Sequence, residues 1–198
     1  MDDRLSALLE DLHRRGVEHD KGEIDRLERL RNLEPDTGRL LALLVRATAP
    51  RRVLELGTSN GYSTIWLADA LRSVGGRLVS VDADPKRSAL AAGNLERAGL
   101  ADLVELRVED AAGTLRSSAT ATWEMIFLDA GRPAYADYWP DLVRTLAPGG
   151  LLAVDNVVSH AQELREFRAL VASAPGVSEA EVSTGAGLLL VVREPSLR

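Results

Sequence analysis

The chain contains no cysteine. That excludes a disulfide framework, a thiolate metal site and a cysteine nucleophile. Histidine is scarce, at three residues, which argues against a multi-histidine metal centre. No apolar run approaches the roughly 20 residues of a membrane-spanning helix. Basic runs are also missing and the net charge is −6, a poor balance for gripping a nucleic-acid backbone. The start, Met1-Asp2-Asp3-Arg4, is charged and leads into an amphipathic segment rather than a secretory hydrophobic region. These absences lead to the expectation of a soluble, cytoplasmic protein that neither crosses a membrane nor binds nucleic acid. What is present is an ordinary globular balance: 198 residues, 45% hydrophobic and 27% charged, enough for one domain with a sizeable core.

Leu5, Leu8, Leu9 and Leu12 fall at helical spacing, as do Ile24, Leu27 and Leu30, with Gly16 and Gly22 as punctuation. Leu33-Glu34-Pro35-Asp36 interrupts the pattern before Leu40, Leu41 and Leu44 resume it. From Arg52 onward short apolar runs alternate with helix-length segments. The runs are Val53–Leu56, Leu78–Asp82, Leu103–Val108, Met125–Leu128 and Leu151–Val154. Between them lie Tyr62–Leu71, Pro85–Ala98, Ala111–Leu115 and Tyr135–Leu146, and a further helix is predicted over Ala161–Ala172. Runs this apolar suit strands buried on both faces. The alternation predicts a doubly wound α/β fold. Val177–Ser183 and Leu188–Val192, joined by Thr184-Gly185-Ala186-Gly187, predict an antiparallel hairpin at one sheet edge. One domain is expected: a helical N-terminal extension or lid over residues 1–48 and an α/β core over 49–198.

"VLELGTSNGYS" (Val53–Ser63) reads as strand, glycine-rich turn and helix start. In a doubly wound sheet ligands gather at the carboxyl ends of the strands. Gly57 and Gly61 permit close approach of backbone to ligand. A dinucleotide fingerprint would need a second glycine where Ser59 stands, and no Walker lysine follows. Glu55 would repel a diphosphate but suit a ligand carrying positive charge. The alternative is a structural turn beside a solvated Glu55. Asp82 ends the next strand, where an acidic residue can accept two ribose hydroxyls, and Asp110 follows the third, where an adenine edge can be met. Together these describe a site for a cationic nucleoside.

With "LELGTSNGYS", "VDADP", "FLDAGRPAY" and "APGGLLAVDNV" in place, the chain resembles the class I S-adenosylmethionine-dependent methyltransferases. More narrowly it resembles the metal-dependent small-molecule O-methyltransferases of the catechol and caffeoyl-CoA type, from about Arg31 to Val192. The resemblance implies a Rossmann-like, mostly parallel seven-stranded sheet with one antiparallel strand near its edge. It implies that Glu55 and Ser63 face the amino-acid part of the cofactor, with the backbone of Gly57, Thr58 and Ser59 and the turn at Gly61. It further implies Asp82 on the ribose, Asp110 and Ala111 flanking the adenine, and Leu33 on a segment that closes over the cofactor. The implied reaction is methyl transfer to a hydroxyl of a small, aromatic acceptor. A homodimer is also implied.

Asp129 ends the fourth apolar run and Asp155-Asn156 the fifth. Strand ends in a parallel sheet can converge at one face, so two carboxylates and an amide oxygen form an all-oxygen set. That set suits Mg²⁺ or another hard divalent cation and not structural zinc. The alternative is that these residues only cap loops and helices. In the animal catechol enzymes that the chain resembles, a lysine three residues after the metal aspartate serves as general base; here Arg132 stands there, preceded by Gly131. Arginine does not deprotonate in proteins. It can stabilise a phenolate or bind a carboxylate or phosphate, or else be a surface residue opening a helix. His160 is the candidate replacement base, unless it is an ordinary loop residue and the proton passes to water. Tyr135, Tyr138 and Trp139 can wall an aromatic pocket, although Trp139 is expected in the core, as is Trp66; Tyr62 lies beside the cofactor loop. The short segment after Asn156 implies an open acceptor site or one completed by a partner subunit. Rival readings are a metal-independent methyltransferase, a cofactor-binding protein without turnover and, more distantly, a nicotinamide dehydrogenase.

Overall fold

A computed structural model describes residues 2–25 and 28–195. Helix α1 (Asp3–Gly22) is capped by Asp2, whose Oδ1 accepts the Leu5 N–H at 2.8 Å. Helix α2 (Pro35–Thr48) opens on proline, whose missing N–H costs nothing at that position. The core then runs β1 (Arg52–Leu56), α3 (Tyr62–Val74), β2 (Arg77–Asp82), α4 (Pro85–Ala98), β3 (Val104–Val108), α5 (Ala111–Ser117), β4 (Trp123–Leu128), α6 (Tyr135–Thr145), β5 (Leu146–Val154), α7 (Arg165–Ser173), β6 (Val177–Val182) and β7 (Leu188–Arg193).

The seven strands form one sheet in the order β3-β2-β1-β4-β5-β7-β6. The first five are parallel, and β7 inserts antiparallel between β5 and β6. The chain reverses its direction of winding between β1 and β4, the crevice where doubly wound sheets bind ligands. Burial explains why the central runs carry no alternation. Val53, Met125 and Phe127 pack under α1 to α3, while Leu54, Leu56, Ile126 and Leu128 pack under α6 and α7. Both faces are covered, so both sets of positions are apolar. Leu5, Leu9 and Leu12 of α1 and Leu41 and Val45 of α2 join the first of these clusters. Asp69 of α3 binds Arg46 of α2 at 2.9 Å, tying the N-terminal helices to the sheet layer. No helix among the described residues is long and apolar enough to cross a membrane.

Three boundaries differ most from the sequence pattern. Ile24 and Leu30 do not lie on a helix, and Ile24 is 94% exposed; Leu27 lies outside the described residues. The carboxylate of Asp20 accepts the backbone N–H groups of Leu30 (2.7 Å) and Arg31 (2.8 Å), so the end of this segment is held by a side chain and not by a helical ladder. Helix α7 starts at Arg165, with turns over residues 161–164. Strand β5 starts at Leu146, five residues early, because Trp123 pairs with Leu146 before a register shift brings Met125 opposite Leu151.

Candidate active site

Backbone hydrogen bonds continue the sheet past its strand ends and bring the site together. Gly57 N–H donates to Val81 at 2.9 Å, Asp129 N–H to Leu56 at 2.9 Å, and Asp155 N–H to Leu128 at 3.1 Å. The glycine loop, Asp129 and Asp155 therefore stand side by side on one rim. Gly57 has φ 106°, and a Cβ there would collide with the carbonyl oxygen of Asp129. Gly57→Ala must push the loop off the β4 end. It is expected to cost about 2 kcal/mol or more of stability and to abolish binding of S-adenosylhomocysteine by calorimetry; retained affinity in a folded variant would show that the loop is not the contact surface.

Asp82 holds this loop in place. Its Oδ2 accepts the Ser59 N–H at 2.8 Å and its Oδ1 the Asp84 N–H at 2.9 Å. Ser59, at φ 49°, donates through Oγ to Leu30 O at 2.9 Å, which fastens the segment before α2 over the loop. Arg87 adds a bond to Arg29 O at 3.2 Å, and Asn32 anchors the same segment to Leu12 O at 3.1 Å. The result is a cavity of ≈ 220 Å³ whose walls include Leu33, Gly57, Thr58, Ser59, Ser63, Asp82, Asp129 and Asn156.

Glu55 stands one layer behind that wall, with 0% exposure. Its carboxylate accepts hydroxyls from Ser63 (2.5 Å), Thr64 (2.6 Å) and Ser80 (2.6 Å). Burial pushes its pKa up to about 7, against the pull of those three hydroxyls. Ser63 also lines the cavity, so it joins the buried charge to the ligand space. Thr64 and Ser80 were not singled out from the sequence. Ser80 was visible as a hydroxyl inside the apolar run of β2, in register with Glu55.

The rim beside Asp129 carries the second feature. Asn156, at φ 68°, donates from Nδ2 to Asp129 Oδ1 (3.0 Å) and to Asp155 Oδ2 (3.2 Å). An amide N–H₂ thus bridges two carboxylates that would otherwise repel. Burial, and then the charge of Asp155, raise the pKa of Asp129, while Arg132 and Arg31 oppose the rise. Asp155 is 3% exposed and also raised by burial. Its Oδ1 is buried and has no hydrogen-bond partner among the described residues. An orphaned buried carboxylate oxygen next to a second carboxylate and an amide is a donor set that fits a hard divalent cation. Turning the Asn156 amide about its terminal torsion exchanges donor for acceptor. No group of three His, Cys, Asp or Glu side chains suited to a metal occurs among the described residues; this cluster is two carboxylates and an amide.

Most of the other expected site residues lie apart from the cavity. Asp110 caps α5, accepting the Gly113 N–H at 3.0 Å, and lines a separate depression with Arg116 and Tyr138. Ala111 packs against the core under α6. His160 sits on the turn behind Asn156, its Nδ1 2.8 Å from Ser159 Oγ, and is not among the cavity walls. Arg132 is in the wall, and its Nε donates to Glu163 Oε2 at 3.0 Å. Tyr135 does not wall a pocket: it is wholly buried, and its hydroxyl bonds to Ala130 N–H at 2.9 Å. It buttresses the loop that presents Asp129. Trp139 is core, edge-on to Phe167.

A family model for O-methyltransferases matches residues 3–194. The chain belongs to the O-methyltransferase family. It is similar to a catechol O-methyltransferase of Niastella koreensis, 38% identical over 138 residues, covering 68% of this chain and 62% of that protein. A catechol O-methyltransferase of Mycobacterium tuberculosis is 42% identical over 123 residues, covering 61% of this chain and 54% of its own length. The chain thus spans less than two thirds of these two relatives. The fold is similar to that of an O-methyltransferase from Bacillus cereus solved in complex with SAH, with TM-score 0.79, 31% identity and coverage of 95% and 91% of the two chains. The doubly wound sheet with one antiparallel strand near its edge is the class I methyltransferase architecture shared with that structure.

Proposed function

We propose that this chain transfers the methyl group of S-adenosylmethionine to one hydroxyl of a small aromatic diol, with a divalent cation, Mg²⁺ by preference, held by Asp129, Asp155 and Asn156. The observation that carries the reading is the position of Asp129. It abuts the glycine loop through Gly57 and the Asp155–Asn156 pair through a hydrogen bond, so one residue borders both halves of a two-substrate site. Similarity to relatives named catechol O-methyltransferases supports the acceptor class.

In this reading Asp82, already oriented by Ser59, accepts the ribose hydroxyls, and Ser63 with the loop backbone receives the amino-acid end. Leu33 closes the outer side. A divalent cation held by Asp129, Asp155 and Asn156 would favour the ionised form of an acceptor hydroxyl whose unperturbed pKa is about 10. The acceptor oxygen uses a lone pair to bond the methyl carbon. The carbon–sulfur pair stays on sulfur, which loses its positive charge, and the hydroxyl proton leaves to water. Arg132 stays protonated and takes no part as base. Alignment of oxygen, carbon and sulfur supplies a large share of the rate enhancement.

The test is transfer of labelled methyl to catechol with Mg²⁺ and with chelator. Activity that disappears with chelator and returns with Mg²⁺ supports the full reading. Activity indifferent to complete metal removal leaves a metal-independent methyltransferase. Cofactor binding without transfer to any diol overturns the acceptor assignment.

A further inference from the structure

Helix α1 carries two residues that disfavour it. Gly16 stands in its interior, where glycine costs more than any residue but proline. Asp20 stands in its last turn, where a carboxylate opposes the helix dipole. The two are four residues apart and share one helix face, with Leu12 one turn earlier. That face meets residues 29–33, all five of which line the cavity. A Cβ on Gly16 would collide with Asn32 Nδ2, so the glycine leaves room for the amide that reaches Leu12 O at 3.1 Å. The Asp20 carboxylate takes the successive N–H groups of Leu30 and Arg31, one on each oxygen.

Successive N–H groups that converge on one anion form a nest, which needs a left-handed residue. Arg31 supplies it, at φ 49°. That conformation costs free energy in a residue other than glycine, and two charge-assisted hydrogen bonds offset the cost. Only 22% of the Asp20 side chain is exposed, which shields these bonds from water. Burial pushes the pKa of Asp20 up, but the N–H groups of Arg31 and Leu30, with His19 Nδ1 3.1 Å away, outweigh it, and the carboxyl titrates below its ordinary value. The segment has no ladder of its own: among the described residues, residues 29–33 make no backbone–backbone hydrogen bond. Its fastenings to the core include one bond from Ser59 to Leu30 O and one from Arg87 to Arg29 O. A cavity wall held by side chains opens without breaking a helix or a strand.

We infer that α1 is the clasp of this cavity: Asp20 and the notch at Gly16 hold residues 29–33 shut and set how fast S-adenosylmethionine leaves. Asp20 is a positioning residue, since it acts through Leu30 and Arg31 and is not among the cavity walls. The inference rests on the cofactor occupying this cavity, as proposed above. It accounts for both residues that α1 would be more stable without.

The experiment follows release of labelled S-adenosylmethionine, chased by excess unlabelled cofactor, from wild type, Asp20→Ala, Asp20→Asn and Gly16→Ala, alongside thermal unfolding. Hydrogen bonds to a charged group carry factors of about 10 to 100. Asp20→Ala is expected to speed release by about 10- to 100-fold. Asp20→Asn keeps one acceptor oxygen and falls between. In both variants kcat at saturating cofactor is not lowered, because Asp20 touches no reacting group. Gly16→Ala separates the clasp from the stability of the helix. Alanine is the better helix former, so α1 is not weakened, yet the added methyl displaces the Asn32 amide and speeds release by about 3- to 10-fold. Release at the wild-type rate from folded Asp20→Ala overturns the inference. So does release at the wild-type rate from Gly16→Ala, whether or not Asp20→Ala folds. Faster release from the variants of a protein that methylates no diol leaves the clasp standing and overturns only the acceptor assignment. Failure of wild type to bind S-adenosylmethionine overturns both.

Discussion

Asp129→Asn is expected to lower methyl transfer to a diol by about a thousandfold or more while leaving the protein as stable as wild type, or more so. The activity loss follows from the charge. Removing one of two carboxylates from an oxygen-only set weakens the hold on a divalent cation, and the stabilisation such a cation gives to developing charge is several kcal/mol. The stability follows from the same geometry. Asp129 lies beside Asp155, both raised in pKa by burial, with a bridging Asn156 amide as the hydrogen-bonded partner between them. An asparagine keeps the shape, still offers an oxygen to the Asn156 N–H₂, and relieves the like-charge contact. Thermal unfolding without metal, set beside labelled-methyl transfer with saturating Mg²⁺, separates the two effects. A variant that keeps more than a tenth of wild-type activity would remove Asp129 from the metal set. A variant that unfolds would show that the carboxylate is structural.

The elements most legible in the sequence are those whose pattern is dictated by the sheet itself. Val53–Leu56 and Met125–Leu128 are apolar without alternation because both faces of β1 and β4 are covered. Their ends are legible too: Asp129 and Asp82 stand where apolar runs stop, whereas Glu55, buried inside β1, needs three hydroxyls to hold it. What was not legible depends on partners distant in the chain. The helical spacing of Ile24 and Leu30 gives way to hydrogen bonds that the Leu30 and Arg31 N–H groups donate to Asp20, ten and eleven residues earlier. Tyr135 looked like a pocket wall, but its hydroxyl is captured by Ala130. The three hydroxyls on Glu55 come from α3 and β2, and only the parallel register of β1 with β2 brings Ser80 beside it. The arginines of the cavity come from the segment before α2, from α4 and from the loop after β4, so no local motif contains them.

Glu55 should make the stability of the protein fall as pH rises through neutrality. Its folded pKa is raised from 4.5 to about 7, so the folded state holds a proton that the unfolded chain has already released in this interval. The resulting stabilisation is fully present below pH 4.5 and is lost as pH climbs to about 7. A rise of that size is worth about 3 kcal/mol. Glu55→Gln removes the titration while keeping a carbonyl oxygen for the hydroxyls of Ser63, Thr64 and Ser80, which can rotate to meet the amide. Urea unfolding at pH 5 and pH 8 is therefore expected to show a wild type that loses about 2.5 kcal/mol more than the variant across that range, since part of the stabilisation is already gone at pH 5. Asp129 and Asp155 titrate in both proteins, and because the charge of Glu55 also raises Asp129, the difference reports Glu55 together with that coupling. A difference independent of pH would mean that the three hydroxyls keep Glu55 ionised in the folded protein. The same proton bears on the proposed ligand. An ionised Glu55 behind Ser63 attracts a sulfonium, whereas a protonated one does not. Affinity for S-adenosylmethionine relative to its neutral-sulfur product should thus rise with pH more steeply in the wild type than in Glu55→Gln, where only Asp129 and Asp155 still titrate beside the cavity.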